Sequence, residues 1–417
     1  MNPRLFGCDI SIANDILIVG CPSVGNKGCI HTFKVPCNPS RVRNDRDGDS
    51  GQVIYPENGH SDDGFGISCK ITAVSSNEYY VIIGAHRKLN NGIASGSAYI
   101  YKSTDYGNKW NLVAELQPSA KSHNSMFGSS VDINRNTAVV GSYADNTEGW
   151  RTGSVNIFSK DTNDDWNLVN CIRPSYFTHR PVPNSNLSSL YFGFSVSISD
   201  TFIAVGAPTD KANGSVYLLH SDKGWDSIAN IDSYCLKGEN KFGFSVETKH
   251  NKIIVGCPGE NGVPGKAFIY DMSSLFDIKS GFVPASSTIP FETINTKSKS
   301  SKALFGRSVA LNDKFAVVSG FGQSENTNYV GSAFLYSHNV FSNQNNVDDV
   351  ACLRDSEATE LFGHSVAIHN NIIVIGDPTA DKVHVYYTGN LIGSYLKKWH
   401  SSTLLFSPPA SVYIELH

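Results

Sequence analysis

The sequence predicts an all-β, seven-bladed β-propeller of four-stranded antiparallel blades, and three observations lead there. A single phrase recurs seven times: Phe-Gly, a short β-type run, a tight polar break, then Ile/Val-Val-Gly-x-Pro or a close variant. Its Phe-Gly starts fall at Phe6, Phe65, Phe127, Phe192, Phe242, Phe305 and Phe362, at steps between 50 residues (192 to 242) and 65 residues (127 to 192). Each unit holds enough β-type runs for four short strands. The units run almost from end to end of the 417 residues, so residues 1–417 form one domain where length alone would suggest two or three.

The second unit shows the elements in order. Phe65 to Ile71 reads as a first strand, and Ser75-Ser76-Asn77-Glu78 is a turn by composition. Tyr79 to Gly84 is an apolar, β-branched and aromatic run, the pattern of a strand buried on both faces. A Gly- and Asn-rich loop, 85–95, leads to a third strand from Gly96 to Tyr101. The stretch from Trp110 to Leu116 alternates polar and apolar, as a half-exposed outer strand does. One four-stranded sheet cannot cover both its faces, whereas a ring of sheets packs each between neighbours. The Phe of each Phe-Gly is expected between blades, and the glycines allow close approach and tight bends. A parallel β-helix would need shorter coils. Trp399 to Phe406 supplies the outer strand of the last blade. That leaves 407–417 as a tail, with a surplus strand over 411–416 that could associate along an edge.

Composition excludes several classes. A net charge of -4 without a basic stripe argues against nucleic acid. No run approaches the ~18 consecutive apolar residues of a membrane helix, so the chain is not expected to be membrane-embedded. No signal peptide is visible at the start. The nine cysteines are read as small buried apolar residues and favour a reducing compartment. Two sequons, at Asn186 and Asn213, favour the secretory route, so the compartment stays open. Cys8, Cys21, Cys29 and Cys37 crowd into the first unit, where a disulfide or zinc site is an alternative, although the close Cys-x2-Cys spacing of common zinc modules is missing.

The recurring phrase resembles the FG-GAP repeat over about residues 5 to 406, and is similar to the form without a metal loop. The resemblance implies a seven-bladed propeller like that of integrin α-chains, a surface or secreted setting, and ligand binding on the long-loop face. Calcium-binding members carry an Asp-rich loop between first and second strands. Here that place holds only short hairpins such as Ala13-Asn14-Asp15 and His369-Asn370-Asn371, too poor in oxygen donors for Ca²⁺. No cofactor is therefore expected. The acidic string Asp45, Asp47 and Asp49 is a weak cation candidate, better read as a solvated turn.

Catalytic motifs are thin. No H-E-x-x-H pair, G-x-S-x-G elbow or phosphate loop is found, and the serines that follow Phe-Gly (Ser130, Ser195, Ser245, Ser308, Ser365) recur and so read as architectural. Strand alternation puts the 2–3 and 4–1 connections on one face, several of them long and Gly-rich, and loops on a rigid scaffold are where binding concentrates. Trp150 sits there beside Arg151, Asp145 and Glu148, and Arg87, Asp210 and Glu260 lie in neighbouring loops. An exposed Trp next to Arg is the composition of a binding hot spot. The reading is a non-enzymatic recognition module for protein or glycan partners. A structural subunit of a large assembly and a glycan hydrolase or lyase at the channel mouth are the alternatives. Acids converging on the axis would favour the enzyme.

Overall fold

In a computed structural model, residues 5–23, 27–35, 52–60, 62–176, 189–210, 213–221, 224–225, 232–259, 265–273, 292–295, 304–323, 330–337, 348–353, 358–388 and 404–406 are described. Seven four-stranded antiparallel sheets form, each from one contiguous stretch of chain. Their inner strands are Ile10–Ala13, Phe65–Ala73, Ser130–Ile133, Ser195–Ile198, Ser245–Lys249, Val309–Leu311 and Val366–His369. We number the blades 1 to 7 in that order. The Asp45, Asp47 and Asp49 string, Glu260, and the tail with its strand over 411–416 lie outside the described residues.

The second strands carry the β-branched runs and are the most enclosed elements. In Ile16–Cys21, Tyr79–Ala85, Thr137–Ser142, Phe202–Ala207 and Ile372–Asp377 every residue is buried. The outer strand of blade 2, Asn111–Leu116, is mostly exposed, Leu112 and Val113 included, and only Leu116 is buried, so the half-buried alternation expected from its sequence is not realised. All seven Phe-Gly phenylalanines are 0 % exposed. Each sits in a cluster shared by two blades; Phe192, for example, packs with Val139, Val155 and Ile157 of blade 3 and with Val205 and Tyr217 of blade 4. Burying one such ring contributes about 1.5–3 kcal/mol, repeated at every seam.

Hydrogen bonds across the seams repeat as well. Ser68, Ser130, Ser195 and Ser245 Oγ–H each donate to the carbonyl of the next blade's Phe-Gly glycine, at 2.8–3.0 Å. These serines are therefore latches. Two close approaches require glycine. Gly66 of the second Phe-Gly lies at φ 92. A Cβ on Gly84 of the following Ile83-Gly84 would run into the carbonyl oxygen of Gly128 in the next blade.

The ring closes by the same device, without strand exchange. Ser365 Oγ–H of blade 7 donates to Gly7 O of blade 1 (2.9 Å), and Phe6 N–H donates to Asp381 Oδ1 (3.2 Å). The outer strand of blade 7, Leu404–Phe406, pairs with the third strand through Val383↔Phe406, within the span the sequence assigns to it. No helix among the described residues is long and apolar enough to cross a membrane.

Candidate functional site

Because each inner strand starts at the long-loop face, the residue after each Phe-Gly stands at that mouth of the axial channel. These residues are Cys8, Ile67, Ser129, Phe194, Phe244, Arg307 and His364, all half-buried. From blade 4 to blade 6, and again from blade 7 to blade 1, neighbouring members meet. The Phe194 and Phe244 rings lie 4.8 Å apart, and the Arg307 guanidinium sits 4.9 Å from the Phe244 centroid. His364 Nδ1 meets Cys8 O at 2.9 Å.

The loop holding Trp150 joins this arc. Tyr143 packs against Phe194 (5.4 Å) and Tyr191 (5.6 Å). Arg151 Nη1–H donates to Tyr191 Oη (3.2 Å), and the Arg151 guanidinium lies 5.1 Å from the Trp150 ring. One ladder of cations and aromatic rings thus runs from Trp150 on the rim to Arg307 at the mouth. Trp150 itself is 61 % exposed. Backbone bonds hold the loop in place: Ser189 N–H donates to Trp150 O (2.6 Å) and Tyr191 N–H to Arg151 O (3.1 Å).

The acids grouped with Trp150 by sequence are spent inside the loops. Asp145 is 3 % exposed. Its Oδ1 accepts from Thr147 N–H (3.0 Å) and Oγ1–H (2.6 Å), and its Oδ2 lies 3.6 Å from Arg173. Glu148 Oε2 accepts from Ser175 N–H (3.1 Å). Asp210, 1 % exposed, has Oδ2 accepting from Tyr217 Oη–H at 2.6 Å. Arg87 is exposed, and its backbone N–H donates to Asp63 O (3.1 Å). The structure joins Trp150 and Arg151 to Tyr143, Tyr191, Phe194, Phe244 and Arg307, none of which the sequence reading selected. The available signal was their register: Phe194, Phe244 and Arg307 hold one position in successive repeats.

The electrostatics of the mouth are cationic. Burial, with Arg87 adding to it, pushes His86 down to about 4. Burial and then Arg307 likewise lower His364. Arg307 is itself lowered by burial. Burial, reinforced by a neighbouring guanidinium in each case, holds these imidazoles neutral, and the arginines leave a place where an anion would be welcome.

Further along the inner strands, five residues beyond each Phe, stand Ser11, Lys70, Asp132, Ser197, Glu247, Ala310 and Ala367. Lys70 Nζ of blade 2 reaches Glu247 Oε2 of blade 5 at 2.5 Å, and both side chains are about a quarter exposed. Burial works against the Lys70 charge, but Glu247, Asp132 and Asp9 outweigh it and raise its pKa. Burial pushes Asp9 and Asp132 each up to about 6. Both acids also serve as latches: Asp9 Oδ2 accepts from Cys69 N–H (2.7 Å) and Asp132 Oδ2 from Ile198 N–H (2.8 Å) of the following blade. The acids therefore do converge on the axis, around a lysine that bridges the channel.

The family model of the FG-GAP repeat matches residues 50–101, 110–158 and 183–219, the stretches centred on blades 2, 3 and 4. No curated protein matches the sequence. Among solved structures, the chain is similar to a putative 6-phosphogluconolactonase from Bacteroides fragilis at 9 % identity, with 89 % of this chain and 90 % of that one covered and a TM-score of 0.50. It is also similar to Hsv2 from Kluyvelomyces marxianus (10 % identity, 93 % of each chain, TM-score 0.48). The β-propeller domain of the Trilobed protease from Pyrococcus furiosus is a further match (10 % identity, 92 % of each chain, TM-score 0.45). At such identities the likeness concerns the fold.

Proposed function

We propose that this FG-GAP-repeat propeller is a non-enzymatic recognition module that binds an acidic protein segment across its long-loop face. The ladder from Trp150 through Arg151, Tyr191, Tyr143, Phe194 and Phe244 to Arg307 carries this reading. Guanidinium groups stacked on rings are pre-organised forks for carboxylates, and the rings bury area at small entropic cost. Trp and Arg at the rim of a rigid scaffold are the residue types that dominate binding energy. The test is capture of partners by the wild-type chain, Trp150→Ala and Arg307→Ala, alongside a glycan array. Loss of the same protein partners from both variants supports the proposal. Retention of every partner refutes the site, and binding only to acidic glycans refutes the choice of ligand.

Catalysis in the channel is a second reading, favoured by the convergence of Asp9, Asp132 and Glu247 around Lys70. Carboxyls with raised pKa values are what general acid chemistry uses. Against it, Asp9 and Asp132 each bind the backbone of the next blade, which is a structural duty. A hydrolase or lyase activity abolished by Asp132→Asn with the fold intact would establish this reading.

A further inference from the structure

The innermost residues of the loop between second and third strands face each other across every blade. The register pairs Ala85 with Ser97, Ser142 with Ser154, and Ala207 with Ser215. It pairs Cys257 with Lys266, Gly320 with Ser332, and Asp377 with Lys382. In blade 1 alone the pair is two thiols, Cys21 opposite Cys29. Two residues beyond Cys29, on the same face of the same strand, is His31. Other blades put Tyr99, Asn156, Tyr217, Phe268, Phe334 or His384 there. The donor atoms of Cys21, Cys29 and His31 all lie within 4.8 Å of one another. Cys21 and Cys29 are 0 % exposed and His31 is 4 % exposed.

We propose that Cys21, Cys29 and His31 form a zinc site in the seam that closes the ring. Metal–sulfur bonds of about 2.3 Å and metal–nitrogen bonds of about 2.0–2.1 Å in a tetrahedron separate the donors by roughly 3.4–3.8 Å. The three donor atoms, within 4.8 Å of one another, are therefore about 1 Å from the spacing a shared metal requires. Two thiolates, a neutral imidazole and Zn²⁺ sum to zero charge, and a buried site tolerates zero best. Monovalent copper, which the same soft donors accept, would leave a buried negative charge. Phe6 packs edge-on against His31 at 5.3 Å, and the Phe33 ring lies parallel to it at 6.1 Å, so the imidazole is held between aromatic contacts. The two thiols share one cluster with Val374, Val383 and Val385 of blade 7. A cation there would tie the second and third strands of blade 1 together beside the joint where the two ends of the repeat array meet. The remaining coordination position falls to a small ligand such as water.

Blade 2 supplies the control, because Ala85, Ser97 and Tyr99 hold the same three positions and fold. The full chain, expressed with added zinc and purified under reductant, should carry about one zinc per chain by mass spectrometry. The triple variant Cys21→Ala, Cys29→Ser, His31→Tyr should carry none, and Cys29→Ser alone should bind at least tenfold more weakly. Cobalt in place of zinc should give a thiolate charge-transfer band that the triple variant lacks. A chelator should lower the melting temperature of the wild type and leave that of the triple variant unchanged. Equal metal content in wild type and triple variant overturns the site. So does a Cys21–Cys29 disulfide with no cation bound after reduction, and copper recovered in place of zinc overturns the choice of cation.

Discussion

The Phe at the entry to each inner strand and the residue five places further along are close in the chain yet follow different rules. The first is the same in all seven blades, wholly buried, and shared between neighbouring sheets. The second varies, as Ser11, Lys70, Asp132, Ser197, Glu247, Ala310 and Ala367, and at Lys70 and Glu247 it reaches across the channel. A seam has the same shape at every blade, so its filler repeats. The axis is one space lined from seven sides, so its residues need only be compatible with each other. Repetition here marks architecture, and its loss marks places where a residue answers to something outside its own blade.

The largest effect should come from breaking the uniform ring. Phe192→Ala is expected to cost about 3–5 kcal/mol in denaturant unfolding, and Phe242→Ala a similar amount. A cost under about 1 kcal/mol at either seam would show that the blades do not share this load equally.

On the variable ring, Lys70→Met leaves Asp9, Asp132 and Glu247 without their cation. The expected loss is about 1–2 kcal/mol, below the ~3–5 kcal/mol of a sealed ion pair because these side chains meet channel solvent. The double variant Lys70→Met, Glu247→Gln should recover part of that loss. No recovery would mean the 2.5 Å contact is incidental.

The pH dependence sharpens the same contrast. Burial raises Asp9 and Asp132 from 3.8 to about 6. Between those values the folded chain holds more protons than the unfolded one, so stability should fall as pH rises from about 4 to 6, by on the order of 2 kcal/mol for each group. The other six blades carry serine where blade 1 has Asp9. Asp9→Ser should flatten part of the slope, read from denaturation midpoints at pH 4 and 6; an unchanged slope would exclude Asp9 as its source.

The smallest effect on stability belongs to Trp150→Ala, at 61 % exposure. Its midpoint should stay within about 0.5 kcal/mol of wild type, while partner affinity drops at least tenfold. A large stability loss with affinity unchanged would make Trp150 part of the loop frame instead.

Much of this was legible in the residues. The Phe-Gly spacing announces the blades, and the recurrence of Ser130, Ser195 and Ser245 announces that they are structural, as their bonds to the next blade show. Trp150 and Arg151 stood out because they break the pattern. Asp145, Asp210 and Glu148 looked similar in sequence, yet the first two are buried and bond within their own loop or blade, and Glu148 bonds Ser175 beyond the outer strand, because turns draw on nearby carboxylates to satisfy backbone and hydroxyl donors. Phe194, Phe244 and Arg307 were hidden by their neighbours: beside an architectural Phe-Gly, they read as part of the repeat.

By itself the sequence determined the number of blades, the order of strands within each, and the burial of the seam phenylalanines. All of these follow from patterns local to one repeat, where strand period and turn chemistry act over a few residues. Only the tertiary structure decided that Lys70 meets Glu247, 177 residues away, and that Trp150 shares a surface with Arg307. Only register and packing set Cys21, Cys29 and His31 against blade 7. Such meetings depend on how many blades close the ring and on the radius at which they close. That is a property of the whole assembly of sheets, which no single repeat contains.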